Sequence, residues 1–258
     1  MLESRGVSKA FIGRDGSATF ALKRVDLTIR SGTFVSLIGP SGCGKSTLLR
    51  ILGGLEQPSG GEVYLSPGVE GQSGPRVAFV FQEYGLFPWL TVLDNVAFGL
   101  RMAGMDKRER HNRARAWLAR VGLEGFERAY PEQLSGGMRQ RLSLARAFVT
   151  DPDVLLMDEP MGAVDPQTRL LLQEDLIRLW EETAKTVLLV THSIEEAILL
   201  GDRVVVMTSR PGELKLDLEV GIPRPRTAEV TTGVEFSRIK ARLWAALRDE
   251  VAKSLEFS

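Results

Sequence analysis

A single cysteine in 258 residues leaves no possibility of an internal disulfide. A reducing compartment fits that usage. Surplus charge of either sign is also lacking: 33 Lys and Arg stand against 33 Asp and Glu. Bulk nucleic-acid binding normally needs a basic excess, so this balance argues against it while leaving local basic patches open. No run approaches the ~18–20 apolar residues that span a bilayer, and the apolar runs, VLLM and VLLV among them, are strand-sized. Any membrane contact is therefore expected to pass through a partner. The opening MLESRGVSKAF has no apolar stretch, so no secretory signal is expected. Internal repeats and low-complexity tails are missing as well.

What is present suits one large α/β domain. Hydrophobic residues make up 43%, enough for a sizeable core. Val25–Ile29, Thr33–Ile38, Gly61–Leu65 and Val77–Phe81 read as strands, and Ser46–Leu52 as a helix. SPGVEGQSGPR, Ser66–Arg76, reads as a turn-rich loop. The pattern then turns helical from Thr91 to Arg120, with a basic run at Lys107, Arg108, Arg110, Arg113 and Arg115 expected on a solvated face. Ala116, Leu118 and Val121 supply apolar surface beside it, and His111 in the same stretch is given no role. A further helix follows Ser135 to about Thr150. Val154–Met157, Thr186–Val190 and Val204–Met207 fit a mostly parallel sheet, with a crossover helix at Pro166–Glu182. Phe236, Ile239, Leu243, Leu247 and Val251 recur at helical spacing and read as ordinary packing.

The strongest local signal is GPSGCGKST: Gly39, Pro40, Ser41, Gly42, Cys43, Gly44, Lys45, Ser46 and Thr47. It fits G-x-x-x-x-G-K-[ST] directly after a strand and before a helix, a context a chance glycine-rich turn would lack. Glycines let several N–H groups point inward at phosphate oxygens, and the helix start adds partial positive charge. Lys45 would reach the β- and γ-phosphates, and the Ser46 hydroxyl would ligate Mg²⁺. Cys43 is either a reactive thiol or, more simply, a small residue offering its N–H.

VLLMDEP ends an apolar strand in two carboxylates. Asp158 is placed to hold Mg²⁺ through water, and Glu159 to act as general base on a water attacking the γ-phosphate. His192, at the end of VLLVT, is placed to contact that phosphate and orient the water. Together these pieces point to a P-loop NTPase.

LSGGMRQRLSLARA, Leu134–Ala147, narrows the reading: it resembles the signature segment of ABC ATPases. Other elements resemble that family in order. Phe11 in VSKAF resembles the residue that stacks on adenine, Gln82 the Q-loop glutamine, GAVD at Gly162–Asp165 the D-loop, and His192 the switch histidine. The resemblance implies a RecA-like α/β core with a mostly parallel sheet, an antiparallel β subdomain and an ABC helical subdomain. It divides the chain into 1–83 with 151–220 as nucleotide-binding core, 84–150 as helical subdomain, and 221–258 as a C-terminal helical extension. It further implies ATP and Mg²⁺ as cofactors, with Gln82 ligating the metal or touching the attacking water.

Ser135, Gly136 and Gly137 open a helix, so their N–H groups and hydroxyl form an anion site. In the family this site serves the ATP held by the other subunit, which implies a two-fold homodimer. Permease subunits in the membrane and, indirectly, an external solute-binding protein are the other implied partners; nucleic acid is not. The implied place is the cytoplasmic face of a prokaryotic inner membrane. Phe87, Pro88 and Trp89 are either core packing or part of a groove for a permease helix. LFPWLTVLDNVAFGL, SGGMRQR, TSRPGEL and IPRPR resemble importer ATPases for nitrate, sulfonate and taurine. Met138, Val164 and Ser193 depart from the usual glutamine, leucine and aspartate, and none removes a phosphate, metal or base ligand. No C-terminal regulatory domain is expected. Two competing readings are a soluble ABC-type ATPase of DNA repair or translation and a non-catalytic nucleotide-binding regulator. The first would call for long coiled-coil or zinc insertions or a second cassette; intact Lys45, Asp158, Glu159 and His192 weigh against the second.

Overall fold

The computed structural model describes residues 1–66, 76–162 and 164–256. In chain order the elements are β1 (Leu2–Ile12), β2 (Ala18–Ile29), β3 (Phe34–Ile38), α1 (Lys45–Leu52), β4 (Gly60–Leu65), β5 (Val77–Val80), α2 (Val92–Met102), α3 (Lys107–Arg120), α4 (Gly136–Phe148), β6 (Val154–Asp158), α5 (Pro166–Thr183), β7 (Thr186–Val190), α6 (Ile194–Leu200), β8 (Arg203–Met207), β9 (Leu214–Glu219) and α7 (Val234–Glu256). The chain forms two compact units, one of residues 1–75 and 184–258, the other of residues 76–183.

In the first unit β3 lies between β7 and β8, parallel to both, and β9 adds an antiparallel edge. FVSLI and TVLLV are buried at all five positions, which is why both read as unbroken runs without alternation. A separate antiparallel sheet, ordered β2-β1-β4, belongs to the same unit. The C-terminal helix α7 packs Phe236, Ile239, Leu243 and Leu247 on Ile38, Val204, Val206 and Leu218. Each such burial contributes about 1.5–3 kcal/mol. Val251, expected to continue that stripe, is instead 36% exposed. From Ile239 the stripe runs in steps of four residues, each slipping about 40° round a helix of 3.6 residues per turn, so it leaves the core face by its end.

The second unit holds β5 and β6 as a parallel pair and the helices α2 to α5. The helical stretch expected from Thr91 to Arg120 is two helices, because Gly104 takes φ 77° after α2 and Asp106 caps α3. Asn95, fully buried, satisfies its amide completely. Its Nδ2 donates to the carbonyls of Phe87, Leu90 and Thr91 at 3.0 Å each, and its Oδ1 accepts from the Phe87 N–H at 2.9 Å. One buried amide thus shapes the segment 87–91. On α3 the basic run lies mostly exposed, with Arg113 bonded to Glu109 at 2.7 Å. Leu118 and Val121 are buried as expected, but Ala116 faces out and Ala114, one turn before Leu118, takes its place on the buried side. The His111 Nε2 lies 3.2 Å from Asp94 on α2. Among the described residues no helix is long and apolar enough to cross a membrane. The loop expected at Ser66–Arg76 lies outside the described residues between 67 and 75, as does Ala163 of GAVD.

Candidate nucleotide site

In the first unit the chain leaves β3 at Ile38 and turns through Gly39–Gly44 into α1. The turn is tight. Gly42 and Gly44 take φ values of 71° and 105°, open to glycine at little cost. A Cβ on Gly44 would meet the Ala21 carbonyl oxygen at 2.8 Å. Lys45 is 4% exposed, and its Nζ donates to the carbonyls of Gly39 and Pro40 at 2.8 Å each. The ammonium is thus already folded into the loop. The helix start has no side-chain cap and no acidic residue in its first turn. Its leading N–H groups are therefore oriented for an anion, the arrangement a phosphate requires.

Cys43 is buried and the loop's thiol is pushed up by that burial, against the opposing pull of Lys45 and Arg210. A buried thiol held in its protonated form is a poor nucleophile, which favours the plain reading of Cys43 as a small residue. Val190 ends β7 beside Leu37 of β3, so His192 emerges from the same sheet end as Gly39. The Thr191 N–H donates to the Leu37 carbonyl at 3.1 Å, and the Thr191 hydroxyl bonds the buried Glu196 carboxylate. The backbone on either side of His192 is therefore fixed while its side chain stays exposed. Phe11 lies in β1, 45% exposed, with the Lys9 ammonium 5.1 Å from its ring centre.

In the second unit β5 and β6 run parallel with Val80 beside Met157, so Gln82 and the Asp158–Glu159 pair leave at one end. The Gln82 Nε2 donates to the Glu159 Oε2 at 3.5 Å. Asp158 is 8% exposed, the last residue of a strand buried throughout. Glu159 has φ 45°, a left-handed backbone that costs a non-glycine residue of order 1–3 kcal/mol. Its carbonyl accepts from the Gly162 N–H at 3.0 Å, closing a turn into GAVD. Asp165 caps α5 through the Thr168 N–H at 2.9 Å, and the Thr168 hydroxyl and amide hold its carboxyl below the usual range.

Ser135 caps α4, its hydroxyl accepting from the Met138 N–H at 3.3 Å. Accepting leaves the hydroxyl proton able to donate elsewhere. Gly136 and Gly137 form the first turn, and a Cβ on Gly137 would meet the Thr168 Cγ2 at 2.6 Å. Two residues of α4 that sequence reasoning missed brace the loop after Gln82. Ser143 donates to the Tyr84 carbonyl at 3.0 Å, and the Arg146 guanidinium bonds the carbonyls of Tyr84 and Gly85 and lies 5.6 Å from the Phe87 ring. Trp89 next to it is 72% exposed, which removes the core-packing reading for that side chain. Among the described residues no group of three or more His, Cys, Asp or Glu is arranged to hold a metal.

Residues 22–162 match the family described as ABC transporter. A nitrate import ATP-binding protein of Synechocystis sp. is 41% identical, over 99% of this chain and 98% of its own length. A taurine import ATP-binding protein of Rhizobium johnstonii is 46% identical, over 97% and 95%. A solved dimeric ABC transporter cassette superposes with a TM-score of 0.75 at 36% identity, covering 86% of this chain and 100% of its own. Another solved structure, of a cassette in a post-hydrolysis state bound to ADP and Pi, superposes at 0.74 and 36% identity, with the same coverage. An α/β phosphate-loop chain alike over nearly its whole length to transport ATPases is one of them: the protein belongs to the ABC transporter family, as an ATP-binding, ATP-hydrolysing subunit.

Proposed function

We propose that two copies of this chain bind Mg-ATP at a shared seam and couple its hydrolysis to import of a small anion of the nitrate, sulfonate or taurine type. Gly39–Thr47 wraps the phosphates, with Lys45 on the β- and γ-phosphates, and Phe11 stacks on adenine. Ser135, Gly136 and Gly137 of the mate close over the same nucleotide. Ser46, Asp158 and Gln82 offer hard oxygen ligands of the kind Mg²⁺ takes together with phosphate oxygens and water. Glu159 withdraws the proton from the attacking water, Gln82 holds its carboxylate, and His192 orients the γ-phosphate. In this reading 1–83 and 151–220 work as nucleotide-binding core, 84–150 as helical subdomain and 221–258 as C-terminal helical extension. The exposed Trp89 segment receives a cytoplasmic helix of a permease. The chain works on the cytoplasmic face of a prokaryotic inner membrane, and an external binding protein selects the solute.

The observation that supports coupling to import is the likeness, across nearly the whole chain, to ATP-binding proteins named for nitrate and taurine import. The test is ATP hydrolysis by the chain reconstituted in vesicles with the multi-span permease encoded nearest to it and the cognate binding protein. Stimulation by one of nitrate, taurine or an alkanesulfonate is expected. Hydrolysis indifferent to all three, yet raised by DNA or ribosomes, would overturn the proposal in favour of a soluble ABC-type ATPase.

A further inference from the structure

TSRPGEL, Thr208–Leu214, joins β8 to β9 and has no part in the chemistry described so far. The turn is closed by Thr208, whose N–H donates to the Glu213 carbonyl and whose hydroxyl accepts from the Glu213 N–H, both at 2.9 Å. Gly212 ties it to β2, donating to the Ala21 carbonyl at 2.9 Å and accepting from the Lys23 N–H at 3.0 Å. A Cβ on Gly212 would meet the Cys43 carbonyl oxygen at 2.2 Å, so the turn lies directly against the phosphate loop. From that turn Arg210 reaches the loop itself. Its Nε and Nη2 both donate to the Gly42 carbonyl, at 3.1 and 3.0 Å.

Behind Arg210 stands a buried carboxylate. Glu250 of α7 accepts from the Ser209 N–H at 3.0 Å and the Ser209 hydroxyl at 3.1 Å through one oxygen. Its other oxygen accepts from Lys215 at 2.8 Å and Lys253 at 3.2 Å. Burial alone would push this carboxyl up; the Lys215, Ser209 and Lys253 bonds together bring it down to about 2, so it stays ionised at physiological pH. Its four donors keep a 3% exposed carboxylate fully partnered and fix the residue next to Arg210.

We propose that Arg210 is a positioning residue for the phosphate loop, and that Glu250 holds it in place from the C-terminal helix. In a planar trans peptide the Gly42 carbonyl and the Cys43 N–H point in opposite directions. Pinning that carbonyl to Arg210 turns the Cys43 N–H the other way, into a long bond to the Pro40 carbonyl at 3.4 Å that holds the turn. A loop whose turn is already held loses less freedom when it takes phosphate. Arg210 touches no reacting atom, so its effect falls on nucleotide affinity while the chemical step is spared.

This inference rests on the reading that Gly39–Thr47 binds ATP, and the experiment separates the two. Nucleotide affinity and steady-state hydrolysis are measured on the full chain for wild type, Arg210→Ala, Arg210→Lys, Arg210→Gln, Glu250→Gln and Lys45→Ala, with the Tm of each. Arg210→Ala is expected to raise the ATP Kd and KM about 3–10-fold, the worth of an exposed charged hydrogen bond, with kcat within about twofold. Arg210→Lys should recover part of the loss and Arg210→Gln less, and Glu250→Gln should move the Kd in the same direction by a smaller factor. Amide exchange at Gly42–Gly44 should quicken in Arg210→Ala. A wild-type Kd in Arg210→Ala, with only the Tm lowered, would overturn the proposal. If Arg210→Ala does not fold, a wild-type Kd in both Arg210→Lys and Arg210→Gln overturns it equally. Unchanged binding in Lys45→Ala would instead bring down the underlying reading of the loop.

Discussion

Two helices of this chain have glycine at their starts, Gly44 just before α1 and Gly136 opening α4, and they begin differently. At α1 the start is enclosed: a lysine folded into the loop, glycines fitted against β2, an arginine on the outer carbonyl and no side-chain cap. At α4 the start is open and self-capped, Ser135 spending its oxygen on its own Met138 amide. Both present N–H groups with partial positive charge. The first folds its ammonium onto two carbonyls of a loop turned by left-handed glycines, and so has the means to bind a triphosphate from one side, whereas at the second the Arg139 guanidinium is held on the Leu134 carbonyl at 3.0 Å. The second is suited to complete a site built mainly by something else. Asymmetry of this kind is what a shared nucleotide between two copies requires, and it is open to direct test.

The largest effect is expected where neither helix start is touched. Glu159→Gln should keep ATP binding and lower turnover by about 10²–10⁴-fold, the range for a lost general base. Near wild-type turnover would leave both helix starts with no chemistry to serve. Lys45→Ala strikes the enclosed start, and nucleotide affinity measured by titration should fall about 10–100-fold, as for a lost charge-assisted bond. Ser135→Ala strikes the open one. Its monomer should still bind ATP, the Tm should report a loss of about 1 kcal/mol for the missing cap, and ATP-dependent dimerisation should weaken in sedimentation. Equal losses of monomer affinity in these two variants would erase the contrast between the helix starts. The smallest effect on the isolated chain belongs to Trp89→Ala, within about 0.5 kcal/mol of wild type because that side chain is exposed. With permease present, the same variant should hydrolyse ATP without transport.

The parts of this arrangement that were legible in sequence are those written locally. GPSGCGKST, VLLMDEP and LSGGMRQR each place a functional group at the end of an element that its own neighbours define, and FVSLI, VLLMD and TVLLV announce burial by their largely apolar run without alternation. β1 was not read as a strand because Gly6 and several register shifts break its alternation. α6, at seven residues, is too short to show a period, although Ser193 followed by Glu196 carried a capping signal. β9 alternates, LKLDLE, but stands after a turn at the sheet edge with its charged side outward. Arg146, Arg210 and Glu250 act through partners up to 168 residues away, as Arg210 does on Gly42, and no local pattern encodes such a pairing.

The backbone of Glu159 carries a last consequence. At φ 45° any residue with a side chain is held against its preference, and glycine alone would rest there. Glu159→Gly should melt higher than wild type and, in the proposed reading, hydrolyse almost nothing. In the proposed reading, the strain in that one peptide is what the chain bears to keep the Glu159 carboxylate aimed.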